Sequence, residues 1–190
     1  MEPVIEEKRL RADARRNRDR LVEVAVEAFS RPDGDVTLEA IAKAAGVGIG
    51  TLYRHFPTRE ALVEAAYRSE VARLCDAVPG LLESYAPDKA MRIWMDRFVD
   101  YMTAKRGMAD TLRAIVASGG NPFAETKARM REAAGSLVSA GAEAGTLRGD
   151  VDPQDVIAAL VGVTLSAGGP EQRDQAGRLL DLIMDGLRAR

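Results

Sequence analysis

The sequence predicts an all-α protein of about nine helices, and three observations lead to that fold class. Apolar residues recur at helical spacing along most of the chain, which places them on one face of a helix. No stretch alternates apolar and polar residues in the way that a half-buried strand does. Glycine and proline interrupt the periodic segments at short intervals, as expected where helices end.

Composition excludes several classes of protein. A chain of 190 residues with 46% hydrophobic residues can form a real core in one or two small domains. No apolar run approaches the roughly 18 residues that a membrane span needs, and the first twenty residues lack the apolar core of a secretory signal. One cysteine and one histidine exclude a disulfide within the chain and a Cys/His zinc site. We therefore expect a cytoplasmic protein with no membrane partner, no metal and no cofactor.

The chain begins with a basic segment, although its formal net charge is −2. From Lys8 to Arg20 there are seven basic and two acidic residues. We expect residues 1–12 to be a poorly ordered arm and the first helix to run from about Asp13 to Ser30, followed by a turn at 31–35. A basic segment ahead of an acidic body is common in nucleic-acid-binding proteins, whereas the alternative is a solvated charged tail.

The next stretch, 37–62, predicts two short helices around a tight turn and the start of a third. Thr37 suits an N-cap, Gly46 suits the left-handed end of the first short helix, and Pro57 stops the second. Helices this short need the support of another helix, as in a helix-turn-helix. An ordinary helical hairpin is the alternative. It does not explain the polar side chains that remain outside when Leu52 and Phe56 face inward.

Those polar side chains have the chemistry of DNA contacts. Arg54 can donate two hydrogen bonds to the edge of a guanine, while Thr51 and Tyr53 can reach phosphates. Gly50 lets the backbone come close to the groove.

The segment AIAKAAGVGIGTLYRHFPTREALVEAAY resembles the DNA-binding signature of the TetR family of bacterial transcriptional regulators, without gaps from Thr37 to about Tyr67. The commoner family version has Ser or Thr where this chain has Gly48. The resemblance implies a DNA-binding domain at 1–58 and a phosphate contact from Arg59. The predicted DNA-contacting residues are Arg15, Arg16, Arg18, Thr37, Gly48, Ile49, Gly50, Thr51, Tyr53, Arg54, His55 and Arg59.

Residues 59–190 form the predicted C-terminal domain, with helices at about 59–77, 87–104, 108–118, 123–144, 153–167 and 171–188. The predicted breaks are Pro79-Gly80, 105–107, 119–122, 145–151 and 168–170. Trp94, the break at 105–107 and the segment 145–152 resemble one actinobacterial subset of the family. That resemblance implies a helical ligand-binding and dimerisation body.

The last two predicted helices carry wider apolar stripes than one contact needs, and the first of them is apolar on nearly all sides. Burial against the same chain is one explanation. A two-fold four-helix interface is the other, and we favour it because the family dimerises through these helices and a palindromic site requires a dimer. The residues predicted at this homodimer interface are Val156, Leu160, Val163, Thr164, Ala176, Leu179, Leu180, Ile183 and Leu187.

Methionine and aromatic residues on the body helices suggest an effector site, although such a stripe is more often plain core. The predicted lining is mainly apolar, with a few polar residues that would orient a small hydrophobic or aromatic effector. It consists of Tyr67, Met91, Trp94, Met95, Phe98, Met102, Met108, Leu112, Arg113, Asn121, Phe123 and Met130.

Together these patterns predict a sequence-specific transcriptional regulator, a repressor released from a palindromic operator in double-stranded DNA by a small-molecule effector. An activator or a ligand-independent regulator of the same fold is one alternative, and a helical ligand-binding or scaffold protein without DNA readout is another. An enzyme is not expected, because the single histidine and cysteine fall on different predicted helices and no Ser/His/Asp set or phosphate loop is present.

Overall fold

A computed structural model describes residues 2–30, 36–167 and 169–189 of the chain, without the side chains of residues 2–10 and 170. Within these ranges the chain forms ten α-helices and one short 3-10 helix, and its β pairing is an isolated bridge between Leu147 and Arg188. The prediction of an all-α protein is confirmed. None of the described helices has the length and apolar character needed to cross a membrane.

The described α-helices range from 7 to 28 residues in length. They are α1 (Glu2–Phe29), α2 (Leu38–Ala44), α3 (Ile49–His55), α4 (Arg59–Cys75), α5 (Ala77–Ser84), α6 (Pro87–Gly107), α7 (Ala109–Ala117), α8 (Thr126–Glu143), α9 (Pro153–Ser166) and α10 (Arg173–Leu187), with the 3-10 helix at Pro170–Gln172.

The described residues divide into two compact units. The first unit lies within Met1–Ser69 and Ala104–Pro122, and the second within Glu70–Thr103 and Phe123–Arg190. Helices α4 and α6 therefore each contribute residues to both units. The predicted functional boundary between residues 58 and 59 lies inside the first unit, and the division of function at that point stays a prediction.

The first helix is longer than the sequence pattern predicted. It begins at Glu2 instead of about Asp13, so residues 2–12, which we expected to be a poorly ordered arm, are helical. Arginine, lysine, glutamate and alanine dominate this segment, and all four have high helix propensity. The predicted turn at 31–35 lies outside the described residues.

The prediction of a break at Pro79-Gly80 is wrong, because both residues lie in α5. Pro79 is in the first turn of that helix, where its missing N–H would have no intrahelical partner in any case. Val78 and Leu81 are buried and anchor the helix. The sequence pattern therefore did not predict this short helix.

The predicted break at 105–107 is also wrong, since α6 continues to Gly107. A Cβ atom at Gly107 would lie 1.6 Å from the carbonyl oxygen of Phe29. Only glycine permits this approach, which brings the last turn of α6 against the end of α1 in the first unit. The glycine is therefore the last residue of the helix and the point of a close contact with another helix. The two residues before it, which we expected to belong to the break, are helical.

Candidate nucleic-acid interface

The helix-turn-helix starts and ends where its sequence signals are. The hydroxyl of Thr37 accepts a hydrogen bond from the Ala40 amide at 3.1 Å and caps α2. Gly46 has φ +72°, in the left-handed region that favours glycine, and the chain turns there after α2. The Thr58 hydroxyl accepts from the Ala61 amide at 3.2 Å at the start of α4. The predictions for Thr37 and Gly46 are confirmed.

Helix α3 is held by an inner apolar side. Leu52 is fully buried and Phe56, the residue that ends α3, is 3% exposed. The inner side packs with α1 and α2, where Leu21 and Ile41 are also buried. A helix of seven residues is not stable alone, so this packing fixes the orientation of its outer side.

The outer side of α3 presents the predicted DNA contacts to solvent. The exposed residues are Gly48, Ile49, Gly50, Tyr53 and Arg54, while Thr51 and His55 are half-buried. Arg54 makes no ion pair or side-chain hydrogen bond with any residue that the structure describes. Its guanidinium is therefore available for a bidentate contact to a base edge.

Three arginines of this region have structural partners. Arg20 donates from Nε to the carbonyl of Ala45 at 2.9 Å, at the C-terminal end of α2. The guanidinium of Arg18 lies 5.4 Å from the centre of the Phe56 ring. Arg59 donates to the carbonyl of Val36 and stacks 5.4 Å from the Phe29 ring centre. The phosphate contact predicted for Arg59 stays a prediction, and the structure gives this side chain a second role in packing.

Three arginines of α1 have partners among the exposed carboxylates of the same helix. Arg15 lies 4.0 Å from Asp19, Arg18 lies 3.9 Å from the same carboxylate, and Arg16 pairs with Asp13. All three arginines are exposed. Exposed pairs of this kind are worth little, so phosphates can replace these carboxylates at low cost.

Two family models match the chain in tandem. Residues 21–66 match the model for bacterial regulatory proteins of the tetR family, and residues 86–189 match the model for the C-terminal domain of SbtR-like transcriptional regulators. The chain belongs to the TetR family of bacterial transcriptional regulators. Members of this family bind DNA and are not enzymes, so the chain is a DNA-binding transcriptional regulator of the helix-turn-helix type.

Solved structures of TetR-family regulators agree over nearly the whole chain. A TetR transcriptional regulator from Streptomyces coelicolor is 56% identical, with a TM-score of 0.86, over 90% of this chain and 98% of that one. A TetR regulator from Mycobacterium vanbaalenii is 36% identical, with a TM-score of 0.75, over 95% and 99%. An HTH-type transcriptional regulator from Staphylococcus aureus (strain USA300) is 41% identical over 54 residues, and that match spans 28% of this chain and 29% of the relative's length.

The predicted effector site of this TetR-family chain is distributed over both units. Tyr67, Met108, Leu112, Arg113 and Asn121 belong to the first unit, and the other seven belong to the second. Eight are buried (Tyr67, Met91, Trp94, Met95, Phe98, Met108, Leu112 and Met130), Met102 and Phe123 are half-buried, and Arg113 and Asn121 are exposed. Whether these residues form an effector site stays a prediction.

The second unit contains a cleft that the sequence pattern did not predict. Its volume is about 330 Å³, and it is lined by Glu70, Arg73, Leu74, Arg97, Asp100 and Tyr101. Our prediction followed methionine and aromatic residues, whereas this lining is mostly charged. The charged residues recur at three-residue spacing on α4 and α6, a signal that is common on solvated helix faces and therefore easily overlooked.

Most of the residues predicted at the dimer interface are buried within the single chain, and their place at a homodimer interface stays a prediction. Val156, Leu160, Val163, Thr164, Ala176, Leu180 and Leu187 are buried within the chain, and only Leu179 and Ile183 are half-buried. Helix α9 is apolar on most sides because α8 and α10 pack against it. The large apolar side chains that these helices leave in solvent are Leu165 and Leu182, which are 78% and 67% exposed.

Proposed function

We propose that this TetR-family regulator is a cytoplasmic homodimeric repressor that binds a palindromic operator in double-stranded DNA and leaves it when a small-molecule effector binds. The observation that carries the proposal is the exposed outer side of α3, where Arg54 has no partner among the described residues. A solvent-facing arginine on a short helix that is fixed by its buried side suits direct reading of a base pair.

Binding would combine one contact to bases with several contacts to the backbone. Helix α3 would lie in the major groove with Arg54 against a guanine edge, while Thr51 and Tyr53 would bind phosphates. The arginines of α1 would add a salt-dependent attraction that carries no sequence information. Two copies related by a two-fold axis would place their α3 helices about 34–36 Å apart, which matches one turn of DNA and explains a palindrome.

Release by an effector needs little free energy. A ligand shifts the equilibrium between two conformations only by its differential affinity for them, and about 1.4 kcal/mol lowers operator affinity tenfold. Helix α4 begins soon after α3 ends and contributes residues to both units. We therefore take α4 as the element through which an effector in the second unit would act on the DNA-binding helices.

Selection of binding sites from random duplex DNA tests the proposal, followed by affinity measurements on the enriched site. Replacing Arg54 with Ala should cost about 1–3 kcal/mol on that site and relax discrimination at one base pair in each half-site. The matched control is Arg131→Ala, which removes an exposed arginine of α8. If Arg54→Ala lowered the affinity for all DNA sequences equally, Arg54 would contact the DNA backbone and not a base. Failure to enrich any sequence would contradict specific recognition.

A further inference from the structure

The cleft of the second unit is bordered by charged side chains on two helices. Glu70, Arg73 and Leu74 come from α4, whereas Arg97, Asp100 and Tyr101 come from α6. Its volume of about 330 Å³ lies at the lower end of the roughly 300–1,000 Å³ typical of small-molecule sites. A ligand of one ring or a short chain would therefore fill it.

The four charged residues of the lining carry no net charge together, but they differ in their ion pairs. Glu70 is 5% exposed, and its carboxylate pairs with Arg73. Asp100 pairs with Arg173 at 3.3 Å. Arg97 is exposed and makes no ion pair with any residue in the described part of the chain. One positive charge without a protein partner thus remains at the cleft.

The apolar part of the lining is packed into the protein. Leu74 is 2% exposed and Tyr101 is 3% exposed, so both side chains are held among neighbouring residues. The Tyr101 ring packs edge-on against Phe98, with the ring centres 5.7 Å apart. The cleft therefore combines a fixed apolar wall with a single available guanidinium, which is the combination that binds an organic anion.

We propose that this cleft binds a small organic monoanion, a carboxylate with a single ring or a short hydrocarbon chain, and that this ligand is the effector. Arg97 supplies the counter-charge, while Leu74 and Tyr101 cover the hydrocarbon part. One negative charge fits better than two, because the carboxylates of Glu70 and Asp100 repel additional negative charge. The proposal rests on the effector response of the proposed function and adds a negative charge to the small hydrophobic or aromatic effector that the sequence predicted.

Trp94 is hydrogen-bonded to a residue of the cleft and can report on ligand binding. The indole Nε1 of Trp94 donates a hydrogen bond to the carbonyl of Leu74 at 3.2 Å, and Leu74 lines the cleft. Trp94 is the only tryptophan in the chain and is fully buried. Its fluorescence should therefore respond when a ligand packs against Leu74.

The test compares matched charged and neutral probes on the full-length protein. Benzoate and hexanoate are titrated beside benzamide and hexanamide, and binding is followed by Trp94 fluorescence and by calorimetry. We expect each carboxylate to bind at least about tenfold more tightly than its amide, since a hydrogen bond to a charged group is worth that much. Equal binding of acid and amide would overturn the proposal, and so would the absence of binding by all four probes.

Three variants assign the effect to this cleft. Arg97→Gln should reduce carboxylate affinity by about tenfold or more and leave amide affinity unchanged. Asp100→Asn should raise carboxylate affinity, because it removes a neighbouring negative charge. Arg131→Gln, which replaces an exposed arginine on α8, is the matched control and should change neither. Retention of carboxylate binding by Arg97→Gln, or weaker binding by Asp100→Asn, would overturn the assignment.

Operator affinity is measured on the same samples with and without benzoate and hexanoate. Carboxylate binding that lowers operator affinity in the parent protein but not in Arg97→Gln supports the whole proposal. Carboxylate binding with unchanged operator affinity refutes the effector role. A protein that binds carboxylates but no DNA sequence selectively refutes the proposed repressor function and leaves the anion site established.

Discussion

The arginines near α3 differ in what they already contact, and that difference separates structural from DNA-contacting residues. Arg20 and Arg59 each donate to a backbone carbonyl, and Arg59 also covers the Phe29 ring. Replacing either one would leave a carbonyl without its donor, so the cost would include stability of the fold. Arg54 has no such partner within the described ranges, so its replacement should affect DNA binding with little effect on stability.

Replacing Gly50 would separate an effect on the stability of the fold from an effect on DNA binding. It lies inside α3, and a Cβ atom there would meet nothing within 4 Å. Gly50→Ala should therefore stabilise the fold by about 0.5–1 kcal/mol, because alanine has the higher helix propensity. If the backbone of α3 approaches the groove at this point, the same methyl group should weaken operator binding. Denaturant unfolding and operator titration measure the two effects.

The control for Gly50 is a glycine in another helix. Gly135 lies inside α8, and a Cβ atom there would be 3.6 Å from a side-chain carbon of Pro153, an ordinary contact. Gly135→Ala should stabilise the chain without changing operator affinity. Unchanged operator affinity in Gly50→Ala as well would show that the α3 backbone stays away from the groove.

Cys75 predicts a pH dependence of stability. Burial raises the pKa of its thiol from 9.0 to about 11, with Arg129 opposing the rise and Asp76 and Glu132 adding to it. The unfolded chain therefore releases this proton at a lower pH than the folded chain does. The stability contributed by the neutral thiol is complete below about pH 9 and declines as the pH rises from about 9 to about 11.

The measurement compares the free energy of unfolding of the parent protein and of Cys75→Ala across that pH range. Burial lowers the pKa of Lys105, which acts in the opposite direction in both proteins and cancels in the difference. The stability advantage of the parent over the variant should fall between about pH 9 and about pH 11. A constant difference would show that the folded thiol titrates normally.

At the scale of helices, α1 makes a prediction about salt. Arg15, Arg16 and Arg18 lie on its surface and pair with exposed carboxylates, and Arg18 also lies over the Phe56 ring. Replacing all three with Ala should flatten the plot of log operator affinity against log salt by about 0.9 for each phosphate that is no longer neutralised. The control replaces Arg68, which pairs with Glu64 on α4. An unchanged slope in the triple variant would mean that this part of α1 is a solvated surface.

Sequence signals predicted the ends of the first short helix of the helix-turn-helix, where the chemistry of a helix end is local. Thr37 and Gly46 act through their own backbone or through neighbours three residues away, so their effects can be predicted from one segment. Pro79 could not be interpreted in that way, because its position in the first turn of α5 depends on where the helix begins. Gly107 depends on a carbonyl far away in the sequence.

Prediction of the site residues was limited in the same way, by contacts between residues that are far apart in the sequence. The outer side of α3 was predictable, since Leu52 and Phe56 fix which side is buried. The cleft was not, because Glu70 and Arg97 belong to different helices and their proximity depends on packing. The prediction of the dimer residues is limited for a related reason. An apolar stripe shows that a helix face is covered, but it does not distinguish cover by the same chain from cover by a second copy.

For the whole molecule, the exposed leucines of α9 and α10 point to the surface that a second copy would cover. These two helices pack against each other, and each exposes a leucine on its outer side. Small residues surround Leu165 on the exposed side of α9, at Ala158 and Gly162, and permit close approach of another helix. In a two-fold dimer the same surface of both copies forms the interface. Each leucine would therefore be buried in both copies.

This geometry gives the last prediction, a change of oligomeric state. Leu165→Asp and Leu182→Asp should convert the dimer to monomer in sedimentation equilibrium, because each places two unpaired carboxylates in the interface. Both leucines are exposed in the single chain, so circular dichroism should show unchanged helix content. Leu160→Asp would not give the same information, since Leu160 is fully buried and its replacement would damage the core. Operator affinity should fall with dimerisation, because one α3 helix reads only half of a palindrome.

The matched control is Val116→Asp, which introduces the same charge at an exposed apolar residue of α7. It should leave both sedimentation and operator binding unchanged, because α7 is outside the proposed interface. A parent protein that sediments as a monomer at micromolar concentration would contradict the dimer. Dissociation of the dimer by Val116→Asp and not by the leucine variants would move the interface to α7, and the spacing of the two α3 helices would then have to follow from that surface.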